Sequence, residues 1–260
     1  MVHWYENIDP DHAEWIKKQK LFFVATAPLD GRGSVNSSPK GHDCLRVLGP
    51  NQVCYLELSG SGIETQSHIE ENGRITVMLT AFEGAPRIMR LFGTGRVVRL
   101  ESPEYNKLMQ EHYVGSELYN AQGKRGIIMV DVHKVSTSCG YAVPFYDYKG
   151  PRNTLVEYYG KRSDEVIKSG WLQKNKYSID GLPGMRHEML GPEWIGKNRD
   201  AGEPVELPAW AIRSNQGKGF LAWIQSGTGL ANATVLSAGI AIGIGLATGT
   251  GLGALIRRRK

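Results

Sequence analysis

A chain of 260 residues that is 41% hydrophobic and 22% charged has the composition of an ordinary globular protein, with one substantial core or two small ones. The net charge of +5 comes almost wholly from Arg257, Arg258, Arg259 and Lys260; the other 256 residues carry 27 Lys and Arg against 26 Asp and Glu, which gives no support to a nucleic-acid surface. Three cysteines, Cys44, Cys54 and Cys139, are odd in number and lack CxxC spacing, which argues against a disulfide framework or a structural zinc and for a reducing compartment.

The N-terminal stretch MVHWYENIDPDHAEW carries no apolar signal segment and is acidic where a mitochondrial presequence would be Arg-rich. Asp9-Pro10 predicts a helix start, with Asp9 as N-cap and Pro10 in the first turn. Leu21 to Ala27 is an apolar run suited to a buried strand, and a second strand at about 33–39 follows the turn Pro28 to Gly31, which together predict a hairpin. Lys40 ends that second strand, where Pro39 interrupts ladder donation and Gly41 opens the next turn. Gln52 to Leu58 alternates apolar and polar residues as a half-buried strand. Strands are further expected at 74–80, 88–99 and 127–134, with Gly93-Thr94-Gly95 marking a bulge in the longest of them. Ser102-Pro103 starts another helix, which Gly115 ends near Tyr113. Six strands with only short helices between them argue a mainly β, α+β fold: a six-stranded antiparallel barrel with short flanking helices.

The stretch from Ser59 to Arg74, SGSGIETQSHIEENGR, is the most suggestive for chemistry. Ser61-Gly62-Ile63-Glu64 matches a capping box, with Ser61 as N-cap and Glu64 reaching back to it, and Gly73 closes the helix. Gly60 and Gly62 allow a ligand to approach the backbone closely, and the first-turn amides with the helix dipole form a seat for phosphate. Ser59, Ser61 and Thr65 would supply hydroxyls there, and Lys40 a point charge. A capped surface helix without a ligand reads equally well from this motif alone. Arg87 and Arg90 flank a strand start; one of them could face the Ser59 turn, or both could be exposed on an edge. The seven histidines are scattered, and His68 reads as a surface residue of the capped helix.

FFVATAPLDGRGSVNSSPKG, SGSGIETQSHIEENGRITVMLTAFEGAPRIMRLFGTGRVVRL, SCGYAVPFYDY and SIDGLPG in this order resemble the pyridoxamine 5'-phosphate oxidase-like family, and within it the fungal and bacterial flavin-binding branch. The resemblance covers about residues 10–190. It implies a split β-barrel that binds FMN at a homodimer interface, with a deazaflavin as the alternative cofactor. Lys40 falls where the family has a lysine on the FMN phosphate, and Ser59 to Thr65 fall on its other phosphate contacts. Tyr141, after the sixth strand, would lie against the isoalloxazine ring or pack into the subunit interface. Val35 stands where the family has a first phosphate-binding arginine, and Glu64-Thr65 where it has an arginine-lysine pair. The family's Arg-x-His substrate signature has no equivalent, since Arg186 and His187 are adjacent. The resemblance thus implies a flavin-dependent oxidoreductase that is not a true pyridoxamine phosphate oxidase, or else a non-catalytic dimeric module that sequesters a flavin or haem.

The chain divides into a flavin-binding barrel at 1–135, an extension packed on it at 136–190, a linker at 191–228 rich in Gly, Pro and charge, and a tail at 229–260. Residues 235–256 contain no charge and are long enough to cross a bilayer, with glycines spaced for close helix packing and a basic end. The expected arrangement is a C-terminal hydrophobic helix that anchors the protein in a membrane, mitochondrial outer or peroxisomal, with the barrel facing the cytosol.

Overall fold

Eight antiparallel strands and five helices make up the computed structural model over the residues it describes, 1–186 and Leu190, which belong to the unit Met1–Ser214. The expected linker at 191–228 and hydrophobic tail at 229–260 lie outside the described residues. In chain order the elements are β1 (Val2–Tyr5), α1 (Pro10–Lys18), β2 (Phe22–Thr26), β3 (Asn36–Lys40), β4 (Leu45–Gly49), β5 (Gln52–Leu58), α2 (Glu64–Asn72), β6 (Arg74–Thr80), β7 (Ile88–Arg99), α3 (Pro103–His112), β8 (Lys124–Ser138), α4 (Thr154–Gly160) and α5 (Asp164–Lys174). All six expected strands are present. Two more, β1 and β4, join them; β1 is four exposed residues on β8 and β4 is half-buried throughout, so neither carries the alternation that marks a strand.

The strand order is β3-β2-β6-β7-β8-β5-β4. β8 is the spine: it pairs with β7 along its length and, on its other edge, with β5 and then β1. It runs through position 135, so the expected barrel and extension share a strand. The register slips between Phe92 and Gly93, where a Cβ on Gly93 would stand 2.6 Å from the Asp131 carbonyl oxygen; this is the predicted bulge, and it requires glycine. Val24, Val53, Val77, Leu91, Ile128 and Val130 are fully buried in the core that the sheet encloses. Pro39 sits on the edge strand β3, where a missing N–H costs no ladder bond.

The two ends of the sheet approach each other. Lys40 on β3, the first strand of the path, reaches Glu57 on β5, the sixth, with Nζ 3.2 Å from Oε1. The sheet therefore curls into a barrel that is not closed by a strand ladder between β3 and β5, and the connection from β5 through α2 to β6 runs beside this split.

Helix α1 starts as expected, with Asp9 accepting from the His12 N–H at 2.7 Å, and α3 starts with Ser102 accepting from the Tyr105 N–H. The start of α2 differs from the predicted capping box. Its N-cap is Ile63, with no side-chain cap, so Ser61 caps nothing and Glu64 is already the first helical residue. The Glu64 carboxylate turns instead to the Ile179 N–H, 3.2 Å away, in a segment far along the chain. Gly73 closes α2 in the left-handed region at φ 73°, as predicted. His68 is fully buried rather than on the surface: its Nδ1 lies 3.0 Å from Thr26 Oγ1, because α2 lays this face on β2.

Candidate functional site

A cleft of about 430 Å³ opens in the split of the barrel, floored by β5 and walled by the end of β3, the turn 58–63 and the first residues of α2. It brings together seven of the ten residues singled out from the sequence: Lys40, Ser59, Gly60, Ser61, Gly62, Glu64 and Thr65. Arg87, Arg90 and Tyr141 are not among its lining residues. Arg87 sits over the Trp15 ring, 5.6 Å from its centroid; Arg90 is on β7 opposite Met78; Tyr141 is 84% exposed.

The start of α2 presents hydrogen-bond donors to the cleft. The first-turn N–H groups of a helix have no intrahelical acceptors, and here no side chain caps them. Gln66 lines the cleft from the same turn; it is 4% exposed, and its Nε2 is buried with no hydrogen-bond partner. Thr65 is fixed by Asn36, whose Nδ2 donates to Thr65 Oγ1 and Thr26 Oγ1 at 3.0 Å each, while Ser38 donates to Asn36 Oδ1. As an acceptor in that bond, the Thr65 hydroxyl keeps its own proton for a ligand. Ser59 is committed: it donates to the Gly123 carbonyl at 2.6 Å and accepts from Trp171 Nε1 at 2.7 Å. Its role is to hold the turn.

Two residues that the sequence reading passed over dominate the electrostatics. Glu57 is 1% exposed, and its Oε1 accepts from both Lys40 and Arg125, the latter at 2.8 Å. Burial by itself would raise the Glu57 carboxyl, but the Lys40 and Arg125 cations outweigh it and hold it below the ordinary carboxylate value. Arg125 also donates to the Gly62 carbonyl at 2.9 Å and to Asn175 Oδ1, tying the turn to β8. Glu57 is one polar position of the alternating strand β5 and Arg125 lies at the start of β8, ahead of the strand expected at 127–134, and only the curl of the sheet brings them within reach of Lys40. The Lys40 ammonium, 23% exposed in its side chain, lies 5.8 Å over the Tyr55 ring, with one hydrogen on Glu57 and the others free to face the cleft.

Residues after α5 clamp the turn from outside. Asn175 Nδ2 donates to the Gly60 and Ser61 carbonyls, and Gly184 packs so closely that a Cβ there would meet Ile63 Cγ2 at 2.7 Å. Cys44 also lines the cleft, and burial pushes its thiol up to about 12, so it stays protonated and is no nucleophile near neutral pH.

This donor set fits the phosphate of a cofactor: uncapped amides, one ammonium, one orphaned amide and a threonine hydroxyl converge on one cleft. The carboxylates of Glu57 and Glu64 match the two cations Lys40 and Arg125, so the cleft offers an anion hydrogen-bond donors more than net positive charge.

A mainly antiparallel β sheet curled into a split barrel, with a cleft in the split, defines the class of protein. The sequence profile described as pyridoxamine 5'-phosphate oxidase matches residues 8–139. A "pyridoxamine 5'-phosphate oxidase family protein ustO" of Aspergillus flavus is 39% identical over 204 residues, which cover 73% of this chain and 80% of that one. The chain belongs to the pyridoxamine 5'-phosphate oxidase family. Among solved structures it is similar to HupZ of Group A Streptococcus (19% identity, 49% of this chain and 91% of that one, TM-score 0.38). It is also similar to the heme storage protein HutZ of Vibrio cholerae (14%, 52% and 97%, TM-score 0.36) and to the FAD-binding protein of Mycobacterium smegmatis (11%, 52% and 97%, TM-score 0.36).

Proposed function

We propose that this chain is a homodimeric flavoprotein that seats the phosphate of FMN where α2 meets Lys40, and that it is a flavin-dependent oxidoreductase distinct from the pyridoxamine phosphate oxidases. The observation that carries the reading is the uncapped start of α2, with the buried, unpartnered Gln66 amide beside it, opening on the same cleft as Lys40. A flavin bound there supplies the transfer of electrons or hydride. The protein's part is to bind and orient: Lys40 gives a charge-assisted hydrogen bond, Glu57 fixes where that ammonium points, and the first-turn amides and Thr65 complete the donor set.

Oxidation of pyridoxamine phosphate is set aside because the paired Arg-x-His reader is missing and Arg186 is engaged with Glu70, at 3.3 Å. The same reading keeps residues 235–256 as a membrane anchor with the barrel on the cytosolic side; that segment lies outside the described residues, and among those described no helix is long and apolar enough to span a bilayer. Extraction and weighing of the small molecule carried by the purified protein tests the cofactor. FMN is the expected result; a deazaflavin would move the assignment to that cofactor, and haem, or no flavin even after FMN is added, would favour the non-catalytic sequestering module.

A further inference from the structure

A second cleft, larger than the first at about 1100 Å³, lies on the other side of the β3 end, and Pro39, Gly41 and His42 line both. Trp15 of α1, Phe82 of the β6–β7 loop, and Tyr146 and Tyr148 of the segment after β8 supply its aromatic surface. Phe82 and Tyr146 meet at 5.4 Å between ring centroids. The segment is held by its backbone: the Tyr146 N–H donates to the Phe82 carbonyl and the Tyr148 N–H to Glu83 Oε1, each at 3.1 Å. Its rings remain open to solvent, Tyr146 at 62% and Tyr148 at 48%. Ordering a strap through its backbone while leaving its aromatic rings uncovered costs apolar exposure that a flat ligand would relieve.

The charges of the cleft are unbalanced. Lys18, Lys20, Arg87 and Arg152 face Glu83 and Asp147, and Glu83 is already accepting from Tyr148. Among the described residues none of the four cations has a carboxylate at ion-pairing distance. Two of them rest on rings of the cleft, Arg87 over Trp15 at 5.6 Å and Lys20 over Tyr148 at 5.8 Å. A cation held over an aromatic face in a concave site keeps its outer donors for an anion, and arginine presents them in a fork that matches a carboxylate.

We infer that this second cleft binds a small planar aromatic carboxylate, its ring against Trp15, Phe82 and Tyr146 and its carboxylate on Arg87 and Lys20. Because the two clefts share Pro39, Gly41 and His42, such a ligand would lie beside whatever the first cleft holds, which is where a substrate of a flavin enzyme belongs. The inference itself does not depend on that reading, since Trp15, Lys20, Phe82, Arg87 and Tyr146 are not among the lining residues of the first cleft.

The test uses 2-naphthoate and its uncharged counterpart 2-naphthalenemethanol, titrated calorimetrically into the full-length protein with and without FMN. The carboxylate is expected to bind at least about ten-fold more tightly than the alcohol, and Arg87→Gln to remove most of that preference while leaving the alcohol unchanged. Lys20→Gln should remove part of it, and Arg90→Gln, outside the cleft, none. Equal binding of the two compounds, no binding of either, or an unaltered preference in Arg87→Gln would overturn the inference. Failure to bind FMN in the same samples would count against the flavin reading alone.

Discussion

Glu57 is the residue on which the site's electrostatics turn, since one buried carboxylate oxygen holds both Lys40 and Arg125. Its stabilising effect has a definite sign in pH. A carboxyl whose folded value is lowered contributes stability that is complete above its ordinary value of 4.5 and is lost as pH falls through the folded value. Glu57→Gln should therefore destabilise the protein by about 3–5 kcal/mol at neutral pH, because it leaves two cations facing each other without their shared anion. Urea unfolding at pH 7 checks the magnitude. The loss should shrink as the pH is taken below the carboxylate range; a loss independent of pH, or near zero, would mean that the ion triad is not what Glu57 supplies. Arg125 is 5% exposed, and its other partners, the Gly62 carbonyl and Asn175 Oδ1, are neutral, so among the described residues no second carboxylate stands in for Glu57.

At the scale of elements, the turn between β5 and α2 owes its shape to pieces brought from far along the chain. Trp171 of α5 donates to Ser59, Asn175 to the Gly60 and Ser61 carbonyls, and Ile179 to Glu64. Trp171→Phe keeps most of the packing and removes one buried bond, which should cost about 0.5–1.5 kcal/mol and weaken ligand binding in the first cleft with it. Thermal unfolding and FMN titration of the same variant read the two effects; a stability loss with unaltered binding would detach α5 from the site. This clamp also explains what the sequence hid. The strand–turn–helix at Gln52 to Gly73 was legible because alternation, glycines and the left-handed Gly73 are local signals, and Lys40 was legible from its place after Pro39. The capping box misled because Ser61 and Glu64 have the right spacing, while the Ile179 amide, 115 residues away, takes the Glu64 carboxylate. Glu57, Arg125 and Trp171 carried no local mark: Glu57 and Arg125 meet across the β5–β8 ladder, Glu57 reaches Lys40 when β3 nears β5, and Trp171 reaches Ser59 when α5 folds over the turn. His68 was misread for the same reason, since α2 packs on β2, β6 and β7 and the His68 ring meets Thr26 of β2.

For the whole molecule, the family fold, the split-barrel cleft and the exposed aromatic segment after β8 are the features a quaternary assembly must accommodate. The homodimer proposed here should scatter light with twice the chain's mass of 28.7 kDa, in detergent if the tail at 235–256 requires it. A monomer that still binds flavin would place every contact to the cofactor within one chain and would end the dimer proposal. The central claim is the phosphate seat at the start of α2, and the difference in affinity between FMN and riboflavin isolates it, since the two ligands share the same ring system. Fluorescence-quenching titrations of both into wild type and Lys40→Ala measure that difference directly. The account predicts that FMN binds more tightly than riboflavin, that Lys40→Ala weakens FMN by about 1.5–3 kcal/mol, and that it leaves riboflavin unchanged. Equal affinities for FMN and riboflavin in the wild type, or an FMN affinity untouched by a folded Lys40→Ala, would contradict it.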